Sequence, residues 1–444
     1  MHAATPFADR PLPTWFDDAK FGIFIHWGPY AVPCYAPVDQ DMGDLFAAGD
    51  WAEVFKWSPY TEWYLNSWAL DGSATAAHHA ATYGDRPYDG FVDEFRARAA
   101  GVDTAVWAEL FAAAGAQYVV PVTKHHDGFL MWHSDYPNPT KAGWMAERDH
   151  IAELAVATRQ RNMRFGVYYS GGLDWTFVPP PIDSFMSMIQ NIPSSPEYCE
   201  YATAHMLELI DKFEPSLLWN DIAWPPNLDP NELFERYYAR VPDGLVNDRY
   251  NMLAARAGTL HADFATPEYS TKATAGRKWE VCRGIGRSFG YNRMESEATM
   301  PTVDDLIWMV VDIVARGGNL LLNVGPSADG QIPLAQVVRL TALGWWLRVN
   351  GASIYGTRPW GPMAGTTGDG REVRFTSGDG AIYATVQGAP ANELRLTGIP
   401  ISTGSEVRML GNTRPLPHAM RGDELVIELP DHLPASPATV FEIR

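Results

Sequence analysis

The sequence predicts an α/β protein: an irregular (β/α)8 TIM-like barrel followed by a small C-terminal antiparallel β-sandwich. Two patterns carry that expectation. Through about the first 350 residues, eight short apolar runs of β character alternate mainly with segments of 3.6-residue periodicity. After about residue 360 the period drops to two, and Gly/Asp turns come at close intervals. A third observation is negative. No GxGxxG follows an early strand, as an open doubly wound nucleotide-binding sheet would need.

The strand candidates, in order, are 21–27 (FGIFIHW), 118–126 (YVVPVTKHH), 165–170 (FGVYYS), 216–221 (SLLWND), 245–249 (LVNDR), 263–268 (DFATPE), 288–292 (SFGYN) and 319–325 (NLLLNVG). Helical periodicity falls at 104–116, 150–163, 200–213, 231–241 and 303–318. The last of these carries Asp304 and Asp305 in its first turn, where the helix dipole favours them, and stops at Gly317-Gly318. Spacing between the fifth and seventh strands is too short for full helices, so irregularity is expected there. Residues 333–357 read as a long final helix ending in a Gly turn. The alternating segments 372–388, 393–398, 405–411 and 424–429 then build the sandwich. The expected division is a catalytic barrel over 1–357 and a β-sandwich over 358–444.

At 444 residues the chain exceeds one compact core. Its formal net charge of −19 disfavours nucleic acid and anionic membrane surfaces as partners. Seventeen tryptophans suit a sugar-binding protein, since a sugar's apolar face stacks on an indole, but a large core would use them too. Three cysteines, Cys34, Cys199 and Cys282, without CxxC spacing argue against a disulfide framework or structural zinc. No apolar h-region stands near the start and no run reaches membrane-spanning length, so a cytoplasmic location is expected. The sequence leaves the oligomeric state open, a homo-oligomer included.

In such barrels chemistry sits at the C-terminal strand ends. Read in order, those ends supply His26, His125 and His126, Tyr168, Asp221, Arg249 and Glu268. Singly, each could be a polar strand terminus. Together they place two carboxylates among imidazoles and aromatics, which is what breaking an acetal requires. One carboxyl protonates the leaving oxygen and the other meets the positive charge at the sugar carbon; in retaining enzymes they lie roughly 5–5.5 Å apart. The two must differ in protonation, which charge neighbours and burial can arrange.

The stretches WFDDAKFGIFIHWGPYAVP (15–33), TEWY (61–64), TKHHDGF (123–129), GVYYSGGLDW (166–175), LWNDIAWP (218–225), VNDRY (246–250), KWEVCRGIGRSFGYNR (278–293) and GGNLLLNVGPSADG (317–330) resemble the α-L-fucosidases of glycoside hydrolase family 29. The likeness runs from about residue 15 to 357, and the β-rich tail resembles that family's C-terminal domain. It implies a retaining hydrolase with no metal and no cofactor, acting on fucosylated oligosaccharides or glycoconjugates. By that resemblance Asp221 is the nucleophile and Glu268 the acid/base. His26, His125 and His126 bond the fucose hydroxyls, and Glu62 and Trp63 line the sugar's far edge. Tyr168 and Arg249 stand near the nucleophile, and Phe24 and Phe289 wall the 6-methyl group.

Alternatives stay open at this level. Glu280 and Glu62 rival Glu268 as the acid/base; Glu280 could instead be a buried partner of Arg283 or Arg287. The His125–His126 pair invites zinc, but strand neighbours face opposite sides and no HExxH is present. SADGQIP (327–333) lacks the acidic run of a calcium loop and reads as a turn. A fucose-binding protein without catalysis and a metal-dependent deacetylase on a barrel are the other classes. Residues 35–50 and 176–198, expected to meet the leaving group, show no readable pattern.

Overall fold

Runs buried on both faces read as continuous apolar sequence, and such strands pair in parallel beneath helices. The computed structural model, which describes residues 6–7, 9–270, 277–402 and 404–444, bears this out. Strands β1 (Phe21–Ile25), β2 (Tyr118–Lys124), β3 (Arg164–Ser170), β4 (Leu217–Asp221), β5 (Leu245–Val246), β6 (Glu280–Gly284) and β7 (Asn319–Val324) form one seven-stranded sheet in the order β5-β4-β3-β2-β1-β7-β6. All its pairings are parallel. Residues 1–5, on which part of the N-terminal reading rests, lie outside the described residues.

Side-chain alternation along these strands separates two apolar clusters. Ile23, Val119, Val167, Leu218, Val246, Val281 and Leu322 face the helices. Phe24, Val120, Tyr168, Trp219, Leu245, Cys282 and Leu321 point the other way and meet one another, with Phe264 among them. All seven strands thus contribute to one inner core, as a strongly curved sheet requires.

The arc from β5 to β6 departs from the expected elements. Residues 263–268 do not form a continuous strand. They cross the gap by isolated parallel bridges, Asn247 to Phe264, Ala265 to Trp279 and Glu268 to Cys282. The expected strand at 288–292 is absent, and β6 forms at 280–284 instead. Phe289 and Tyr291 gave 288–292 its β look, yet Gly290 lies against Tyr30 and Thr61 in a loop. The expected helices are present, including Val303–Ala315 and the final Leu334–Asn350.

Beyond residue 357 the pairings between strands are antiparallel, with one isolated parallel bridge from Gly388 to Ala438. Strands β8 (Arg358–Thr366), β9 (Glu372–Gly378), β10 (Ala381–Gln387), β12 (Val407–Met409) and β15 (Ala438–Ile443) make a five-stranded sheet. Strands β11 (Glu393–Thr397), β13 (His418–Arg421) and β14 (Glu424–Glu428) make a three-stranded one. Phe375, Val386 and Phe441 from the first pack with Leu396, Leu425 and Ile427 from the second in one core. Arg374 joins this part to the helix Val303–Ala315, pairing with Asp312 at 2.5 Å and lying over Trp308. Among the described residues, no helix is long and apolar enough to cross a membrane.

Candidate active site

Asp221 is the last residue of β4, and the strand ends sharply on it. Ile222 takes φ +65°, an uncommon conformation for a β-branched residue, and its N–H donates to Asp221 Oδ1 at 2.9 Å. Gly171 and Gly172, just past β3, allow this turn. A Cβ on Gly172 would lie 2.5 Å from the backbone N of Ala223. Tyr168, on β3, donates its hydroxyl to Asp221 Oδ2 at 2.8 Å.

Arg249 follows β5 and stands between the two expected catalytic carboxylates. Its Nη1 donates to Asp221 Oδ1 at 2.9 Å and its Nη2 to Glu268 Oε2 at 3.0 Å. Nε donates to Thr266 Oγ1 at 3.0 Å, and the guanidinium lies 4.6 Å over the Trp219 ring. Glu268 Oε1 accepts from the Tyr60 hydroxyl at 2.5 Å. Its main chain is tied to β6, because Tyr269 N donates to Cys282 O and Cys282 N to Pro267 O. One planar cation therefore faces both acids, with its donors already committed.

Burial sets the charge states around this centre. Burial alone would raise the Asp221 carboxyl, but Arg249 and the Tyr168 hydroxyl outweigh it and hold the group below its ordinary range. Burial pushes His26 down to about 4 and His126 to about 3, and lowers His125 as well. All three imidazoles are neutral at pH 7. Burial lifts Glu62 to about 8 against the opposing bond from Gly290 N at 2.9 Å. Glu62 therefore keeps a proton that it can donate.

Hydrogen bonds also fix which imidazole nitrogen is free. Asn323 uses its amide N–H on Phe289 O at 2.6 Å, so its Oδ1 accepts from His26 Nδ1 at 2.7 Å. Ser170 spends its proton on Leu173 O at 2.8 Å, so its Oγ accepts from His126 Nδ1 at 2.7 Å. In each ring Nε2 is left as an acceptor.

These side chains line one cavity of about 530 Å³. Of the residues predicted from sequence, Phe24, His26, Glu62, Trp63, His125, Tyr168, Asp221, Arg249, Glu268 and Phe289 all reach its wall. His126 stands just behind, its ring 5.0 Å from that of Trp63. Phe24 and Phe289 lie 6.3 Å apart on either side of His26.

A family model described as alpha-L-fucosidase matches residues 2–352. The chain belongs to that family. The tissue alpha-L-fucosidase of Bos taurus is 31% identical over 97% of this chain and 87% of its own length. The alpha-L-fucosidase of Branchiostoma floridae is 32% identical, covering 98% and 93%. A solved alpha-fucosidase of Thermotoga maritima, in complex with a mechanism-based inhibitor, is 40% identical over 99% of this chain and all of that one, with a TM-score of 0.87.

Two details differ from what the sequence of this α-L-fucosidase leads one to expect. Glu280 pairs with neither Arg283 nor Arg287. It is fully buried and accepts from the Tyr118 hydroxyl, while Arg283 turns to Gly284 O and Arg287 to Val38 O. It does not line the cavity. His125 and His126 do not face opposite sides either. The strand stops at Lys124, and in the turn that follows the two rings come within 4.0 Å. Among the described residues, no three His, Cys, Asp or Glu side chains converge as a metal-ligand set.

Sequence reasoning missed Tyr60, Ser170, Asn323 and Cys282, which touches Arg249 through Sγ at 3.5 Å. Tyr60 had a signal, lying two residues before Glu62 in SPYTEWY. Asn323 had one as well, as a polar residue inside the apolar run NLLLNVG.

Proposed function

We propose that this α-L-fucosidase hydrolyses terminal α-L-fucosyl linkages of oligosaccharides or glycoconjugates by double displacement, with Asp221 as nucleophile and Glu268 as acid/base. The observation that carries the reading is the Arg249 guanidinium bonded to both carboxylates at the mouth of an aromatic-walled pocket.

Asp221, ionised, attacks the anomeric carbon. The bond to the leaving oxygen breaks, and Glu268 gives that oxygen its proton. Asp221 is then an ester and its charge is gone. Arg249 faces Glu268 alone, which suits the carboxylate that must now take a proton from water. The water oxygen attacks the same carbon, Asp221 departs as a carboxylate, and two inversions leave the α configuration retained. Nε2 of His26 and of His126 accept from sugar hydroxyls, His125 adds a further imidazole, and protonated Glu62 donates beside Trp63. Phe24 and Phe289 favour a methyl over a hydroxymethyl group, a preference worth about 1–3 kcal/mol.

Proton NMR of an aryl α-L-fucoside digest tests this reading. α-L-Fucose must appear first and then mutarotate; β-fucose first, or no release, refutes it. The architectural reading belongs to the same proposal. The bridges through Phe264, Ala265 and Glu268 support a closed, irregular (β/α)8 barrel over 1–357, with a β-sandwich domain over 358–444. Separate expression of the two parts tests that division. A cytoplasmic location is supported by three cysteines that are buried and free, and cell fractionation tests it.

A further inference from the structure

The cavity does not end at the two carboxylates. Beyond them its wall changes character. Met42, Phe46 and Trp51 come from the helices Met42–Ala48 and Trp51–Lys56, Met188 from the helix Phe185–Gln190, and Met252 from the helix Met252–Arg256. Among the described residues, Ser58 and Arg256 are the polar side chains of this outer part besides the indole of Trp51. At its rim the apolar surface continues into solvent. Phe46 is 48% exposed and Trp51 38%, their rings 5.4 Å apart. Phe185 is 45% exposed, its ring 5.4 Å from that of Trp51, so the rim joins two otherwise separate helices. Met186 and Ile189, on the same helix as Phe185, are exposed as well.

Single exposed apolar residues need no explanation, but a contiguous group that opens directly onto a reactive centre does. A leaving group must depart on the side of Glu268, which protonates it, and Glu268 lines the same cavity as this collar. A second sugar ring would bring several hydroxyls, each costly to desolvate without a partner, to a wall whose described residues are mostly apolar. We infer that this outer wall is a leaving-group site that takes apolar aglycones, such as the alkyl or aryl groups of a glycoconjugate, in preference to a second hexose. The inference rests on the fucosidase reading of the inner end.

Methyl and octyl α-L-fucosides separate the two ideas, because their leaving oxygens have similar chemistry and differ in apolar reach. With octyl fucoside kept below micelle-forming concentrations, kcat/KM should exceed that for the methyl fucoside by about tenfold or more, mainly through KM. In the double variant Phe46→Ser, Trp51→Ser the advantage should shrink to about twofold, while inhibition by free fucose stays unchanged and reports an intact inner site. An octyl advantage absent in the native enzyme, or undiminished in the variant, overturns the inference. So does a fucosyl-galactose disaccharide that outperforms the octyl fucoside. If the variant keeps the octyl advantage but loses self-association in sedimentation, the collar joins copies of the chain and the inference also fails. Failure to hydrolyse any α-L-fucoside would instead strike at the reading of the inner site.

Discussion

The two carboxylates come from unlike parts of the parallel sheet and its margin. Asp221 ends a strand paired on both sides, to β3 through five register positions and to β5 through two. Its oxygens are fixed by Tyr168, Arg249 and the N–H of Ile222, and its side chain is 11% exposed. Glu268 comes from the arc where regular pairing fails. A single bridge ties it to Cys282, Tyr269 beside it sits at φ +50°, and its side chain is 26% exposed. The contrast matches the proposed chemistry. A nucleophile must meet one carbon along one line, and rigid strand ends give that precision. A proton shuttle serves two partners in turn, the leaving oxygen and water, and tolerates a looser support.

Removing each acid tests that contrast most strongly. Asp221→Gly should cut turnover on the order of 10⁴-fold on every fucoside, since no leaving group escapes the need for a nucleophile, and added azide should restore much of it. Glu268→Ala should cost about 10²–10⁴-fold on alkyl fucosides but roughly tenfold or less on aryl fucosides whose phenol leaves unaided. Equal losses on both would hand the role to Glu62.

The regular side also rests on a fully buried ion pair just below the histidines. Lys124 Nζ lies 2.9 Å from Asp174 Oδ2, with neither side chain exposed. Lys124→Met strands the Asp174 charge and should cost about 3–5 kcal/mol in denaturant unfolding. A loss below 1 kcal/mol would mean that the pair contributes no more than a surface contact.

The smallest effect is on stability against pH. Burial raises Glu62 to about 8 and Glu280 to about 7. The stability tied to their neutral forms is complete below about 4.5, the unfolded value, and is lost as pH rises through 7 and 8. His26 and His126 are lowered, so their contribution is complete above about 6.5 and is lost as pH falls through 4 and 3. Thermal stability should peak between these limits. Glu62→Gln should flatten the alkaline limb only, and an unchanged limb would remove Glu62 from the account.

The same contrast governs what could be read from sequence. β1 to β4 and β7 are apolar on both faces and show as unbroken runs, so Asp221, His26 and Tyr168 could be placed at their ends. β6 was not legible because EVCRG carries Glu280 and Arg283 within five residues. One charge turns inward to Tyr118, and the other lies 5.0 Å over the Tyr269 ring, pairings that only the fold creates. The helix Met42–Ala48 had local signals in 35–50, since Asp41 caps Asp44 N and Gly49 adopts φ +74° at its end. Ser184 and Ser187 make a capping box for Phe185–Gln190. These helices are too short to show periodicity, so the apolar rim they build stayed hidden.

A covalent trap tests the central claim most directly. The enzyme is inactivated with a 2-fluoro-fucosyl fluoride, digested, and its labelled peptide sequenced by mass spectrometry. The account predicts one fucosyl group, carried as an ester on Asp221 within LLWNDIAW. A label on Glu268, Glu62 or any other residue would contradict it.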